Sequence, residues 1–135
     1  MITIFKNNPS KISDAEWQVM DVIWNEGRTT SQNIVKHLEP NTKWSERTIK
    51  TLIGRLVKKE IVGYDVDPGD KRLYYYYPLA DREKCIKEET SMFLKKFYNG
   101  AISSMISNFV KEEELTDAEL DELVKILKSA KSKED

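Results

Sequence analysis

WSERTIKTLIGRLVKKEI, residues 44–61, decides the fold. Ser45 has the chemistry of a helix N-cap, a short hydroxyl side chain that accepts from a backbone N–H of the first turn. Behind it Ile49, Leu52, Ile53, Leu56 and Val57 recur at helical spacing, so one face of the predicted helix is apolar. The opposite face carries Arg47, Lys50, Thr51, Gly54, Arg55 and Lys58. The stretch holds five basic residues, with Lys59 the fifth, against the acids Glu46 and Glu60, in a chain whose formal net charge is −1. One face is built for a core and the other concentrates positive charge.

Upstream, ISDAEWQVMDVIWNEG (residues 12–27) opens with a capping box, Ser13 followed three residues later by Glu16. Trp17, Met20, Ile23 and Trp24 follow at helical spacing, and Gly27 is placed to end the helix. TTSQNIVKHLEP (residues 29–40) predicts a shorter helix with Thr30 as N-cap, Ile34, Val35 and Leu38 inward, and Pro40 at the stop. Downstream the period changes. IVGYDVDPGDKRLYYYYPL (residues 61–79) flanks Asp-Pro-Gly-Asp with β-branched and aromatic residues, and Pro68 and Gly69 suit the centre of a type II turn. A β-hairpin with Lys71 and Arg72 near its tip is expected, its tyrosines 74–77 on alternating faces. Three helices and then a hairpin is the order of a winged helix-turn-helix.

From Asp81 onward the pattern is helical throughout. The fourth helix runs to a stop at Asn99 and Gly100, the fifth carries Ile102, Met105, Ile106, Phe109 and Val110 on one stripe, and the sixth opens with a second capping box, Thr116 and Glu119. Leu120, Leu123, Val124 and Leu127 line that last helix, and the terminal KSKED is expected to fray. The fold class expected is mainly α: a winged helix-turn-helix domain of three helices plus a β-hairpin wing over residues 1–79, then a three-helix dimerisation domain over residues 80–135. An amphipathic array of three helices finds cover in its own copy across a two-fold axis. The expected dimerisation residues are Phe93, Phe97, Ile102, Met105, Ile106, Phe109, Leu120, Leu123 and Leu127, and folding back on the first domain is the alternative.

Composition bounds the rest. A chain of 135 residues, 33% charged and 39% hydrophobic, has the balance of a water-soluble globular protein. No apolar run approaches the roughly 20 residues that span a bilayer, and MITIFKNNPSK lacks the long apolar core of a signal peptide, so a cytoplasmic protein with no membrane insertion is expected. The one cysteine, Cys85, makes no internal disulfide and suits a reducing compartment. It and the lone His37 are expected to be packing residues, and Trp17, Trp24 and Trp44 core or hinge packing. No catalytic cluster, phosphate loop, metal site or cofactor motif is present, so neither an enzyme nor a cofactor is expected. Residues 1–79 hold 12 lysines and arginines against 10 acids, and residues 80–135 hold 10 against 13. The basic surplus lies with the winged-helix part.

A recognition helix enters the major groove with its first turns at the base edges. Ser45, Arg47, Thr48, Lys50 and Thr51 occupy those turns, where arginine grips guanine and threonine bonds a base or touches a thymine methyl. Arg55 and Lys58 lie further along, at phosphate distance, and Lys71 and Arg72 fall to the backbone or minor groove beside the site. Gly54 is small where the helix backbone would approach a duplex. The rival reading is a winged helix that uses this basic face to bind an acidic protein.

ISDAEWQVMDVIW, WSERTIKTLIGRLVKKEIV, YYYYPL and FLKKFYNGAISSMISNFVKEEELT together, in this order and over nearly the whole chain, resemble the penicillinase-repressor (BlaI/MecI) family of winged-helix regulators. The resemblance implies a homodimeric transcriptional repressor on double-stranded DNA operators of dyad symmetry ahead of antibiotic-resistance genes, β-lactamase or similar. It also implies a membrane-bound sensor with a metalloprotease domain that triggers repressor cleavage at an Asn-Phe bond, which here corresponds to Asn108-Phe109. The cysteine-rich tail of a copper-responsive branch is absent. A repressor of the same fold that answers another signal is the alternative.

Overall fold

The computed structural model describes residues 12–134. The leading MITIFKNNPSK, on which the expectation of no signal peptide rests, lies outside the described residues, as does Asp135. Along the chain run α1 (Asp14–Glu26), α2 (Ser31–Leu38), a single 3-10 turn (Glu39–Asn41), α3 (Glu46–Lys58), β1 (Val62–Val66), β2 (Tyr74–Pro78), α4 (Arg82–Tyr98), α5 (Ile102–Lys111) and α6 (Asp117–Glu134). Two compact units divide after Thr90, within α4.

Helix ends in the first unit follow from their caps. Glu16 N–H donates to Ser13 Oγ (3.1 Å) and Ser13 N–H to Glu16 Oε1 (2.9 Å), a complete capping box on α1. Gly27 closes that helix at φ 79, where its N–H reaches Ile23 O, a conformation that a side chain would oppose. Thr30 Oγ1 caps α2 and Ser45 Oγ caps α3. The three helices turn their apolar faces to one core: Val19, Met20 and Ile23 from α1, Ile34, Val35 and Leu38 from α2, Ile49, Leu52, Ile53 and Leu56 from α3. Ile61, Val62, Ala80 and Cys85 extend it, so α4 begins as part of this unit. Fully burying each of these large aliphatic side chains contributes about 1.5–3 kcal/mol. Trp17, Trp24 and Trp44 pack on the core's edge; the first two meet edge to face at 5.3 Å, and Trp24 donates its indole N–H to Ala80 O.

β1 and β2 pair antiparallel from Val62↔Pro78 to Val66↔Tyr74. Thr29, buried between α1 and α2, adds a one-residue third strand: its N–H donates to Tyr76 O and its O accepts from Tyr76 N–H. The hairpin turn departs from expectation. Gly69 does not take the positive φ that a type II turn requires at that position. Asp67 and Asp70 build the loop instead, accepting from the N–H groups of Gly69 and Arg72 with their carboxylates, while Leu73 N–H closes on Asp70 O. The chain reversal is thus centred on Lys71 and Arg72, because aspartate side chains offer the backbone a competing partner.

In the second unit α4 ends at Asn99 (φ 52) and Gly100 (φ 83), and Thr116 with Glu119 forms the expected capping box on α6. That helix persists through Glu134, where KSKED was expected to fray. No described side chain from Ser91 onward is buried. Phe93, Phe97, Ile102, Phe109, Val124, Ile126 and Leu127 are all at least 38% exposed, while Met105, Ile106, Leu120 and Leu123 are half-buried.

Candidate nucleic-acid interface

α3 presents two faces to two solvents. Its core face is sealed, with Ile49 and Leu56 wholly buried, and Ser45, Arg47, Thr48, Lys50, Thr51, Gly54, Arg55 and Lys58 are exposed on the rest of the surface. The hydroxyls are already engaged. Thr51 Oγ1 donates to Arg47 O (2.9 Å), and Thr48 N–H donates to Ser45 Oγ (3.2 Å), which also lies 3.2 Å from Thr48 Oγ1. Both threonines are exposed, and each hydroxyl oxygen keeps a lone pair that can accept from a base edge. Gly54 faces open space, since a Cβ built there meets no atom within 4 Å. Among the described residues nothing requires glycine at that position.

Of the five basic residues in the opening stretch, Lys59 goes elsewhere. Its ammonium lies 2.6 Å from Glu16 Oε1, tying the end of α3 to the start of α1. Burial opposes ionisation of this 1% exposed carboxyl, but the Lys59 ammonium and the Ser13 N–H prevail and hold its pKa below the usual carboxylate range. Glu16 Oε2 is buried with no hydrogen-bond partner. Lys59 is therefore a structural tie and not a charge offered to a ligand, which spacing along the chain gave no means to see.

Lys50 and Arg72 converge. They line a groove of about 250 Å³ between α3 and the hairpin, together with Ser31, Ile53, Tyr74 and Tyr76. Among the described residues each cation is in a loose pair at 3.7 Å, Lys50 with Glu46 and Arg72 with Asp70. Lys71 is exposed beside Arg72 at the tip. The tyrosines do alternate: Tyr74 and Tyr76 gather with Tyr64 on one face, whereas Tyr75 lies under Arg28 and Tyr77 over Gly63. Sequence reasoning placed the faces correctly and missed that one of them walls the groove.

His37 is not a packing residue. It is exposed, with Nε2 2.9 Å from Glu26 Oε1, linking the end of α2 to the end of α1. Cys85 is packed as expected; burial first, then Asp81, Glu89 and Glu88, push its thiol pKa up and keep it an unreactive thiol. Among the described residues no cluster of histidine, cysteine and acids suits a metal, and no helix is long and apolar enough to cross a membrane.

In the second unit Asn108 and Phe109 lie inside α5, both exposed. Asn108 Nδ2 donates to the Tyr98 hydroxyl at 3.4 Å, over a groove shared with Ser103, Ser104, Ser107 and Lys111. Ala101, at the N-cap of α5, makes no side-chain cap bond. An uncapped helix rich in serine opens more readily than its neighbours.

A three-helix core with a hairpin set beside its basic third helix defines a winged helix-turn-helix protein. Residues 12–129 match the family described as Penicillinase repressor. The chain is 39% identical over 122 residues to the methicillin resistance regulatory protein MecI of Staphylococcus aureus strain N315, covering 90% of this chain and 96% of that one. It is 35% identical over 123 residues to the penicillinase repressor of Bacillus licheniformis, covering 91% and 94%. The chain belongs to the penicillinase repressor family. A solved structure of a mutant MepR from S. aureus, bound to an oligodeoxyribonucleotide, is similar over 96% of this chain and 85% of that one, with a TM-score of 0.53 and 18% identity, a likeness of fold.

Proposed function

We propose that this chain is a transcriptional repressor: the first unit reads double-stranded operator DNA through α3 and the hairpin, and the second holds two copies together. The observation that carries the reading is the split of α3 into a sealed apolar face and an exposed basic face whose Lys50 meets the hairpin's Arg72 across one groove. Relatives named for methicillin resistance and for penicillinase support genes of β-lactam resistance as its targets. Arg47, Thr48, Lys50 and Thr51 meet base edges, Arg55 and Lys58 meet phosphates, and Lys71 and Arg72 meet the backbone beside the site.

The large apolar side chains Phe93, Phe97, Ile102, Phe109 and Leu127, all exposed and with Phe93 and Phe97 in ring contact, support a homodimer that covers them. Two half-sites held by one dimer bind far more tightly than either alone. Cutting Asn108-Phe109 detaches Phe109 and all of α6 from the rest of the chain, weakens the dimer and releases the operator. The poorly capped α5 suits that step, because a sensor metalloprotease needs its substrate extended.

Footprinting the purified chain on its own upstream DNA tests the reading. Paired protected blocks are expected, with affinity falling about a thousandfold or more between 50 and 200 mM salt for roughly six to ten phosphate contacts. Absence of binding to any duplex at low salt refutes it, and unchanged operator binding by the Arg47→Ala, Lys50→Ala double variant refutes the assignment of α3.

A further inference from the structure

The groove between α3 and β2 has two kinds of wall. One is cationic, formed by Lys50 and Arg72; the other is aromatic, formed by Tyr74 and Tyr76 with Tyr64 behind them. Tyr64 and Tyr74 stack at 5.1 Å and 14°, yet remain 46% and 36% exposed, so the wall meets water in the free chain. Arg72 is 95% exposed and its carboxylate partner lies at 3.7 Å, as does that of Lys50. Pairs this open are weak, and a stronger anion displaces them. Burial first, then Tyr74 and Tyr64, push the Tyr76 pKa up, so its hydroxyl stays protonated and able to donate at neutral pH.

A phosphodiester with its deoxyribose has the same double character, anionic oxygens beside an apolar sugar edge. A free inorganic anion uses only the cations; a base would need to leave its stack to reach the rings. We propose that this groove seats one phosphodiester of the duplex backbone and its deoxyribose, with Tyr74 and Tyr76 as positioning residues that donate to the phosphate, pack on the sugar and so set the angle at which α3 meets the base edges. The inference rests on the DNA-binding reading and adds to it two neutral residues that no count of charge selects.

The test compares the full-length Tyr74→Phe, Tyr76→Phe double variant with wild type on operator and on unrelated duplex across a salt series. Neutral donors release no counterions, so the double variant should weaken both duplexes about tenfold while the slope of log K against log salt stays unchanged. Arg72→Met should instead flatten that slope by about one phosphate's share. Tyr77→Phe, a hydroxyl removed from the opposite face of β2 where it lies over Gly63, should leave affinity and slope as they are. Thermal melts report whether each variant is folded. If the double variant is not, hydroxyl-radical footprinting of Tyr74→Leu takes its place: loss of protection at one sugar per half-site, with the major-groove protections kept, supports the seat. Wild-type affinity in the double variant, or retained sugar protection in Tyr74→Leu, overturns it while leaving the DNA-binding reading intact. Failure of the wild type to bind any duplex overturns both.

Discussion

Replacing Gly54 by alanine should make the protein more stable and a poorer DNA binder. Gly54 sits within α3, exposed, without a positive φ, and an added Cβ meets nothing within 4 Å. Overpacking is therefore absent, and the gain is the propensity difference between glycine and alanine inside a helix, about 0.8–1 kcal/mol. In a domain below 100 residues a change of about 1 kcal/mol raises Tm by roughly 4–8 °C. The same methyl projects from the face that carries Arg47, Lys50, Thr51 and Lys58, at helical spacings from each. If the duplex lies against that face, the added carbon holds the backbone away from it and lengthens the contacts on either side. Loss of one charge-assisted hydrogen bond, about 1.5–3 kcal/mol, lowers affinity by roughly tenfold or more. Circular dichroism melts and fluorescence anisotropy titration at one fixed salt concentration measure the two effects on one preparation. A variant that gains stability and binds operator as tightly as wild type refutes close approach at Gly54, and a variant that loses stability refutes the reading of the helix itself.

Other expectations follow from the same geometry. Lys59→Met strips Glu16 of its ammonium partner and should cost about 2–4 kcal/mol in urea unfolding, less than the 3–5 of a fully buried pair because Lys59 is about a third exposed; additive effects of Lys59→Met and Glu16→Gln would deny the coupling. Because the folded Glu16 carboxyl lies below its ordinary pKa, its stabilisation is complete above the unfolded value and lost as pH falls through the folded one. The wild-type urea midpoint should therefore fall from about pH 4 downward, and the Glu16→Gln variant should lose less over that interval. Phe97→Glu together with Leu127→Glu should shift the chain to a monomer in sedimentation and leave the melt of the first unit in place, since neither side chain belongs to its core. A dimer that survives both changes moves the interface elsewhere.

Local chemistry was the legible part of this fold. Capping boxes at Ser13 and Thr116, the Ser45 cap, the Gly27 and Gly100 stops and the apolar face of α3 each depend on neighbours three or four residues away, and each formed as the spacing implied. What escaped depended on distance or on competition. The Glu16–Lys59 tie joins residues 43 apart, and the Thr29–Tyr76 bridge adds a third strand from a linker. Neither has a local rule behind it. At the hairpin tip Pro68 and Gly69 announced one turn, but the aspartates at 67 and 70 captured the backbone first. His37, expected to pack, turns outward to Glu26 on the neighbouring helix, eleven residues back in the chain. For the candidate site, charge located α3 and Arg72, while the part played by Tyr74 and Tyr76 needed the hairpin folded beside the helix before it could be recognised.

Sedimentation of the full chain with a duplex carrying both half-sites of its operator, at 50 mM salt, tests the division of labour between the two units most directly. Two chains per duplex, bound together and released together as salt rises, is the expected result. A single chain per half-site, each binding independently of the other, or no complex at all, contradicts it.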